Sequence, residues 1–261
     1  MKLTPESIVK ISSKYTFVLL RGLAREAKHW GEFETALSNA SYCQKIIMCD
    51  FPGVGIHHNM TGPASIRQIV DFIKSNHHSQ LEKEKPLFLI GLSLGGMVAY
   101  EYLKQHPGLF EKVAIINSSF RGLSPLYHRV KPGAIVQLLR IMAEKQHTKR
   151  EASILRLISN FHTQDQKVLH KFVEICNKRP VKIRNVVNQL IAASRYRFKL
   201  AKIPEFKGLV LCSREDRMVS YQCSHAFAKA LQWPIAEHSL AGHDLPLDAP
   251  EWIIKEISKI A

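Results

Sequence analysis

Ser93 stands in the pentapeptide Gly91-Leu92-Ser93-Leu94-Gly95, with a glycine two positions away on each side. A serine hydroxyl is a poor nucleophile until a base takes its proton, and that base needs a third group to orient it. Glycine at both flanking positions is what a turn too tight for side chains requires. Such a turn holds the serine in a strained conformation with its Oγ exposed. The pattern therefore predicts a nucleophilic serine, provided that an acid and a base occur elsewhere in the chain.

The segments on either side of this pentapeptide favour the same interpretation. Residues 87–90 are all apolar, which is typical of a strand buried on both faces. From Gly96 the apolar residues continue as a helix to about His106, where Pro107 ends it. Strand, tight turn and helix form the context of a nucleophile elbow. The helix would direct its amino-terminal dipole at an anion forming beside the serine.

Candidates for the acid and the base follow two later apolar segments. Residues 209–213 precede a loop that contains Asp216, and residues 235–240 precede a loop that contains His243. Ser93, Asp216 and His243 thus occur in the order nucleophile, acid, base that hydrolases of this topology require. Their spacing predicts that all three lie just beyond the carboxyl ends of strands.

Neighbouring carboxylates offer alternatives to this assignment. Glu215 could be the acid instead of Asp216, although the Asp-Arg-Met-Val register favours Asp216 and a solvated loop charge at Glu215. Asp244 is expected to cap a turn after the histidine. Asp50 is expected to brace a loop rather than to take part in catalysis.

Six apolar segments of strand length alternate with segments of helical period. The strands are expected at residues 15–20, 46–49, 87–90, 113–117, 209–213 and 235–240. Helices are expected at about 26–37, from Pro63 onward, at 96–106, at 220–231 and at 248–260. This alternation predicts an α/β fold with a doubly wound, mostly parallel sheet. Ligand sites in such sheets lie beyond the carboxyl ends of the strands.

Residues 121–203 interrupt the alternation. Apolar residues recur there at helical spacing, and no strand pattern occurs. We expect an all-helical lid, inserted after the fourth strand and lying over Ser93. Thr148 with Glu151 is expected to form a capping box in this lid. Asp248, three residues before Glu251, is expected to cap the last helix of the chain.

Composition limits the class of protein. The chain has 261 residues, of which 46% are hydrophobic, enough for one α/β domain with an insertion. Its first ten residues are polar and charged, so we expect no signal peptide, and the 15-residue charge-free run between Lys85 and Glu101 is too short to span a bilayer. The five cysteines and 13 histidines lack metal-binding spacings. We therefore expect a cytoplasmic protein with no metal site.

The chain resembles the α/β-hydrolase superfamily over nearly its whole length. The resemblance rests on the GLSLGG elbow, the DFPGVG loop at 50–55, the SREDRMV acid loop at 213–219 and the AGHDLPLDAPEW segment at 241–252. It implies an esterase- or lipase-like serine hydrolase that cleaves a carboxylic ester or thioester through a covalent acyl-enzyme. By the same likeness, Ser93 is the nucleophile, Asp216 the acid and His243 the base.

The resemblance also implies an oxyanion hole and a domain division. The backbone N–H groups of Leu23 and Leu94 would form the oxyanion hole. Residues 1–120 and 204–261 would form the hydrolase core, and 121–203 would be the helical lid at the family's usual insertion point. No cofactor is implied.

Two features depart from the pattern of the family. The family usually carries His-Gly at the oxyanion loop, whereas this chain has Arg21-Gly22. Arg21 could pair with Glu26 or another carboxylate, or it could bind a carboxylate or phosphate of the substrate. The lead-in before the first strand is also short, so the antiparallel edge of the usual sheet is expected to be reduced or missing.

The positive charge of the chain is concentrated in the predicted lid. Residues 121–202 contain 18 Lys and Arg against 4 Asp and Glu, a balance of +14 in a chain whose total is +15. This charge would attract an anionic or carrier-bound acyl substrate, an acidic protein or an acidic membrane surface. It could equally be the ordinary solvated face of amphipathic helices. No nucleic-acid-binding module is recognisable.

Several functions stay open within the fold. Pimeloyl carrier-protein methyl ester esterases are similar in size, lid position and setting, an analogy at the level of fold. Lyase, haloperoxidase and carbon–carbon bond hydrolase activities use the same scaffold. Haloalkane dehalogenation is disfavoured because its nucleophile is an aspartate. A binding protein with an idle triad, whose lid docks an acidic partner, is the alternative from another class.

Overall fold

The computed structural model describes residues 14–200 and 207–261, so the predicted amino-terminal lead-in lies outside the described residues. Within them, six strands form one sheet. They are β1 (Tyr15–Leu20), β2 (Cys43–Cys49), β3 (Leu87–Leu92), β4 (Lys112–Ile116), β5 (Lys207–Ser213) and β6 (Ile235–His238). The strand order is β2-β1-β3-β4-β5-β6, and every pairing is parallel. The predicted parallel α/β sheet is confirmed, and its carboxyl ends share one edge.

Alternate side chains of the central strands enter two separate cores. Phe17 of β1 and Phe88 of β3 stack with ring centroids 4.9 Å apart on one face of the sheet. Val18 and Leu89, one residue further along each strand, point to the opposite face. Because both faces are covered, these strands are apolar throughout rather than alternating with polar residues.

Helices cover both faces of the sheet. The core helices are α1 (Glu32–Ser38), α2 (Ile66–Lys83), α3 (Leu94–Gln105), α9 (Tyr221–Leu231), α10 (Leu245–Asp248) and α11 (Pro250–Ser258). The apolar faces of α1 and α11 pack on one side of the sheet, and those of α2, α3 and α9 pack on the other. The sheet is therefore doubly wound, as the alternation of segments predicts.

Within the described residues, the segment between β4 and β5 has five helices and no strand, apart from isolated β-bridges that join Arg121 to Ser124 and Arg197. We call residues 121–200 the insertion. Its helices are α4 (Leu126–Arg129), α5 (Pro132–Ala143), α6 (His147–Ile158), α7 (Gln166–Lys178) and α8 (Ile183–Arg195). They enclose a small apolar core of their own, which includes Ile141, Leu155 and Phe172. No helix in the described residues has the length and apolar character needed to cross a membrane.

Three local predictions about helices are wrong. The helix expected at 26–37 is split at Gly31, whose φ of +52° separates a 3₁₀ turn from α1. Helix α6 begins one residue before Thr148, so the expected capping box does not form. Asp248 ends α10 and does not cap α11. Its carboxylate, like that of Glu151, makes contacts with distant residues instead.

The elbow turn between β3 and α3 is too crowded for side chains at its glycines. Ser93 itself adopts φ +56° and ψ −115°, a conformation that L-residues rarely occupy. A Cβ on Gly95 would lie 2.1 Å from the carbonyl oxygen of Leu20 and 2.6 Å from that of Arg21. Both neighbours are backbone atoms, which cannot move aside as a flexible side chain can.

We expect Gly95→Ala to lower the free energy of unfolding by about 3 kcal/mol or more, because the new methyl group overpacks rigid backbone. Gly133→Ala in α5 is the matched control, since a Cβ there meets nothing within 4 Å. The control should be neutral or stabilise the protein by up to about 1 kcal/mol. Urea unfolding measures both, and equal stabilities would contradict the crowding described for the turn.

Candidate active site

Ser93 lies at the carboxyl edge of the sheet, in the turn that connects β3 to α3. Its backbone N–H donates to the carbonyl of Ile116 at the end of β4, 2.8 Å away. The residue is half-buried, and it lines a cavity between the core and the insertion. The hydroxyl is thus presented to a partly enclosed space rather than to bulk water.

Asp216 and His243 are in direct contact. The Nδ1 atom of His243 lies 2.7 Å from Oδ2 of Asp216, and both residues are buried. The other carboxylate oxygen accepts the backbone N–H groups of Met218 and Val219, at 2.7 and 2.9 Å. Since the carboxylate accepts at Nδ1, that nitrogen carries the proton and Nε2 is left as the basic atom. Glu215, the alternative acid, is exposed beside it.

Ser93 and His243 line the same cavity. In the part of the chain that the structure describes, no hydrogen bond joins the serine hydroxyl to the imidazole. Such bonds are often long or misaligned without substrate and tighten in the complex. The structure thus brings the three predicted residues to one site, with the acid–base contact formed.

Two side chains fix the loop that carries His243. Asn117, directly after β4, donates from Nδ2 to the backbone carbonyl of His243 at 2.9 Å and accepts the backbone N–H of Ser213 at 2.8 Å. Asp248 accepts the N–H groups of Gly242 and Asn160, at 2.7 and 2.8 Å. Neither role was predicted from the sequence, in which Asp248 was expected to cap the last helix. The one signal for Asn117 is an amide side chain directly after an apolar strand.

The electrostatic surroundings shift the pKa of His243 upward. Burial alone lowers the pKa, but the charge of Asp216 and the hydrogen bond to it raise it by more. The charge of Asp244 adds to the increase, and that of Arg21 opposes it. The net pKa lies above the ordinary value of 6.5. The neutral imidazole that a general base requires is therefore reached at higher pH than for a free histidine.

The two residues predicted to supply the oxyanion donors, Leu23 and Leu94, occur in the loop after β1 and in the elbow. Leu94 is the first residue of α3, so its N–H belongs to the free amino-terminal end of that helix. Leu23 lines the cavity, in the loop after β1. A Cβ on Gly22 would lie 3.4 Å from Cβ of Ser93, so this loop passes close to the elbow. The loop that carries Leu23 is thus adjacent to the elbow that carries Leu94, and the oxyanion hole stays a prediction.

Arg21 and Asp244 form a buried ion pair next to the histidine. The guanidinium donates from Nη1 and Nη2 to the two carboxylate oxygens at 3.0 and 2.5 Å, and both side chains are about 3% exposed. Asp244 is the amino-terminal cap residue of α10, as expected, but its side chain makes no capping hydrogen bond and pairs with Arg21 instead. Of the alternatives for Arg21, the structure shows the pairing with a carboxylate other than Glu26, which pairs with Arg179 instead. Asp50 braces a loop by accepting the N–H groups of Ala27 and Ile56.

The insertion supplies much of the cavity wall opposite Ser93. Its apolar contributions include Leu138, Ile141, Ile154, Leu157, Val186 and Leu190. A second ion pair, unrecognised in the sequence, lies in the wall: Arg25 donates to Glu151 at 2.7 Å. His29 accepts from Arg25 at 3.1 Å, and burial together with the nearby arginine charges lowers its pKa well below 6.5. His29 is therefore neutral.

One group of side chains within residues 14–200 and 207–261 could hold a metal ion. It comprises Cys212, His225 and Glu237, whose donor atoms lie within 4.8 Å of one another. None of them lines the cavity at Ser93. The Glu237 carboxylate already pairs with Arg214 at 2.9 Å and with His225 at 3.0 Å. Because a guanidinium beside the carboxylate repels a cation, we assign no metal to this group.

A family model described as "Serine aminopeptidase, S33" matches residues 12–241. Among curated proteins, the chain is 26% identical over 180 residues to RutD of Serratia proteamaculans (strain 568), whose name assigns it carbamate hydrolysis. That match covers 64% of this chain and 66% of the relative, just under two thirds of the relative's length.

Solved structures share the fold at low identity. A hydrolase from Pseudomonas aeruginosa PA01 superposes with a TM-score of 0.75 at 16% identity, covering 94% of this chain and 89% of that one. BphD, a 2-hydroxy-6-oxo-6-phenylhexa-2,4-dienoate hydrolase from Rhodococcus sp. strain RHA1, has a TM-score of 0.74, 20% identity and coverages of 94% and 90%. An esterase from Thermogutta terrifontis superposes with a TM-score of 0.71 at 17% identity, covering 95% of this chain and 90% of that one. At these identities the likeness establishes the fold alone.

We expect Asp216→Asn to lower the pKa of His243 below 6.5. The substitution removes the charge and the carboxylate hydrogen bond that raise this pKa, while burial still lowers it. At pH 6.5 the ring is then mostly neutral in the variant, whereas it is mostly protonated in the parent protein. An NMR titration of the His243 Cε1–H resonance measures the shift. The control, Glu215→Gln, should leave the titration unchanged. A shift in the His243 pKa that is larger in Glu215→Gln than in Asp216→Asn would indicate that Glu215 is the acid.

Proposed function

This chain belongs to the family described as Serine aminopeptidase, S33, within the α/β-hydrolase superfamily, and we propose that it cleaves a carboxylic ester or thioester with Ser93 as nucleophile. The observation that carries the proposal is the 2.7 Å contact between His243 and an Asp216 carboxylate held by two backbone N–H groups. This contact leaves Nε2 of the imidazole free to act as the base, and His243 lines the same cavity as Ser93.

In the first half of the reaction, Nε2 of His243 takes the proton of the Ser93 hydroxyl as Oγ attacks the carbonyl carbon. The negative charge moves to the carbonyl oxygen, where the N–H groups of Leu23 and Leu94 stabilise it. The tetrahedral intermediate collapses, the imidazolium protonates the departing alcohol or thiol, and an acyl ester remains on Ser93. Asp216 keeps the imidazole in the required tautomer and stabilises its charged form.

In the second half, water replaces the alcohol. His243 removes a proton from the water molecule as its oxygen attacks the acyl ester, and the same two N–H groups stabilise the second oxyanion. Collapse returns the proton to Ser93 Oγ and releases the acid. Every proton moves between the substrate, water, Ser93 and His243, so the chemistry requires no cofactor.

The apolar wall supports an acyl chain as the bound part of the substrate. Hydrophobic side chains of α5, α6 and α8 surround the space in front of Ser93. We propose that the insertion acts as a lid that excludes water from this space. Arg21 is held by Asp244, so contact between its guanidinium and substrate requires the substrate to share or replace that carboxylate.

The basic surface of the insertion supports a second candidate, an enzyme that acts on a carrier-bound acyl group, similar to pimeloyl carrier-protein methyl ester esterases. Exposed lysines and arginines occur along several helices of the insertion, including Lys149, Lys167, Lys171 and Arg184. An acidic carrier protein would be guided to such a surface. An anionic membrane surface would be attracted in the same way.

A fluorophosphonate probe should label the protein, and Ser93→Ala should abolish the labelling, because the probe reacts only with an activated serine. Ser75→Ala changes an exposed serine on α2 and serves as the control that keeps full labelling. Gel fluorescence after brief exposure measures both variants. Labelling that survives Ser93→Ala removes Ser93 as the nucleophile, and a parent protein that stays unlabelled favours a binding protein with an idle triad.

If the basic lid attracts a carrier-bound substrate, added salt should slow its turnover selectively. We expect kcat/KM for an acyl-carrier-protein ester to fall by about tenfold or more between low and high ionic strength, because screening removes the attraction. The value for a neutral p-nitrophenyl ester should change little. Parallel salt dependence of the two substrates would show that the lid charge does not guide the carrier.

A further inference from the structure

The side chains that line the cavity at Ser93 include more arginines than carboxylates. Four arginines line it, but only three carboxylates do. The three carboxylates are each paired: Asp244 with Arg21, Glu151 with Arg25, and Glu26 with Arg179, at 2.5, 2.7 and 3.2 Å. One arginine therefore remains without a carboxylate inside a largely apolar space.

That remaining cation is Arg150, on α6. It is half-buried, and its Nη2 atom lies 3.1 Å from Sγ of Cys176 on α7. Sulfur is a weak acceptor and does not balance a full positive charge. Among the residues that the structure describes, Arg150 has no ion pair. A guanidinium beside apolar surface and without a counter-charge is costly, and an anionic ligand would remove that cost.

Arg25 contributes a free donor to the same region. Arg25 lines the cavity and is 8% exposed, and its guanidinium lies 5.0 Å from the ring centroid of Phe172. Nη1 is used by Glu151 and His29, at 2.7 and 3.1 Å, whereas Nη2 is buried and has no partner among the described residues. A buried donor without an acceptor lowers stability until a ligand supplies one.

The two arginines are connected to the same pair of helices. Arg150 precedes Glu151, the partner of Arg25, on α6. On α7, Cys176 and Phe172 are one turn apart, and they contact Arg150 and Arg25 respectively. Both guanidiniums therefore lie at the α6–α7 part of the cavity wall.

We propose that Arg150 and Nη2 of Arg25 form an anion subsite that binds a carboxylate at the end of the acyl group remote from the scissile bond. The proposal rests on the function assigned above and narrows its substrate class to esters whose acyl chain ends in an acidic group. The apolar residues of the wall would contact the methylene groups between the two ends. A planar carboxylate matches the parallel N–H donors of a guanidinium.

The test uses the monomethyl esters of glutarate, adipate and pimelate, each compared with the methyl ester of the monocarboxylic acid of equal chain length. For at least one length, kcat/KM should be about tenfold or more higher for the acidic ester. Arg150→Gln should reduce this preference by about tenfold or more. Arg140→Gln on α5 is the matched control, since Arg140 is exposed and outside the cavity, and it should keep the preference.

A calorimetric titration of the same esters into Ser93→Ala measures binding without turnover. We expect the acidic ester to bind more tightly, and Arg150→Gln added to this background to remove the difference. Arg25→Gln is made together with Glu151→Gln, so that no buried carboxylate is left unpaired, and should also reduce the difference.

The subsite is excluded if acidic and neutral esters bind alike, or if Arg150→Gln and Arg140→Gln have the same effect. Tight binding of the acidic ester without any turnover by the parent protein would support the subsite and contradict the proposed hydrolase function. Turnover of both esters without preference would support the hydrolase function and contradict the subsite.

Discussion

The close approach of backbone segments at the elbow is the constraint on which the rest of the site depends. Ser93 adopts a positive φ between β3 and α3, and the glycines around it allow the loop after β1 to pass directly alongside. The strain of this turn persists because parallel neighbours on both sides fix the strand that leads into it. The loop that carries Leu23 thereby passes close to the amino-terminal end of α3.

The loops that carry Asp216 and His243 are positioned by residues outside them. Asn117 connects the end of β4 both to the end of β5 and to the carbonyl of His243. Asp248 connects the His243 loop to the end of α6 through the N–H groups of Gly242 and Asn160. The parallel sheet places the strand ends side by side, and these polar contacts then set the distances between the side chains.

The sequence was sufficient for the features that depend on local pattern. Apolar runs of strand length, the glycine spacing around Ser93 and the order of the acid and base motifs predicted the parallel sheet, and they placed the candidate residues at its carboxyl edge. The ion pairs around the cavity were not predictable, because no local pattern indicates their partners. The Arg21–Asp244 pair spans 223 positions and the Arg25–Glu151 pair spans 126. Glu151 fits a capping pattern locally, but the tertiary ion pair determines its role.

The insertion and the core share hydrogen bonds at the acid loop. The backbone N–H of Lys131 donates to the carbonyl of Met218 at 2.8 Å, and its Nζ donates to that of Asp216 at 2.5 Å. The N–H of Ser220 donates to the carbonyl of His128 at 2.9 Å. The insertion therefore cannot be exchanged without removing contacts to the acid loop. A chimera that joins this core to the helices of a relative would replace the segment that holds the backbone of the Asp216 loop, so any such graft has to retain residues 128–131 with the core.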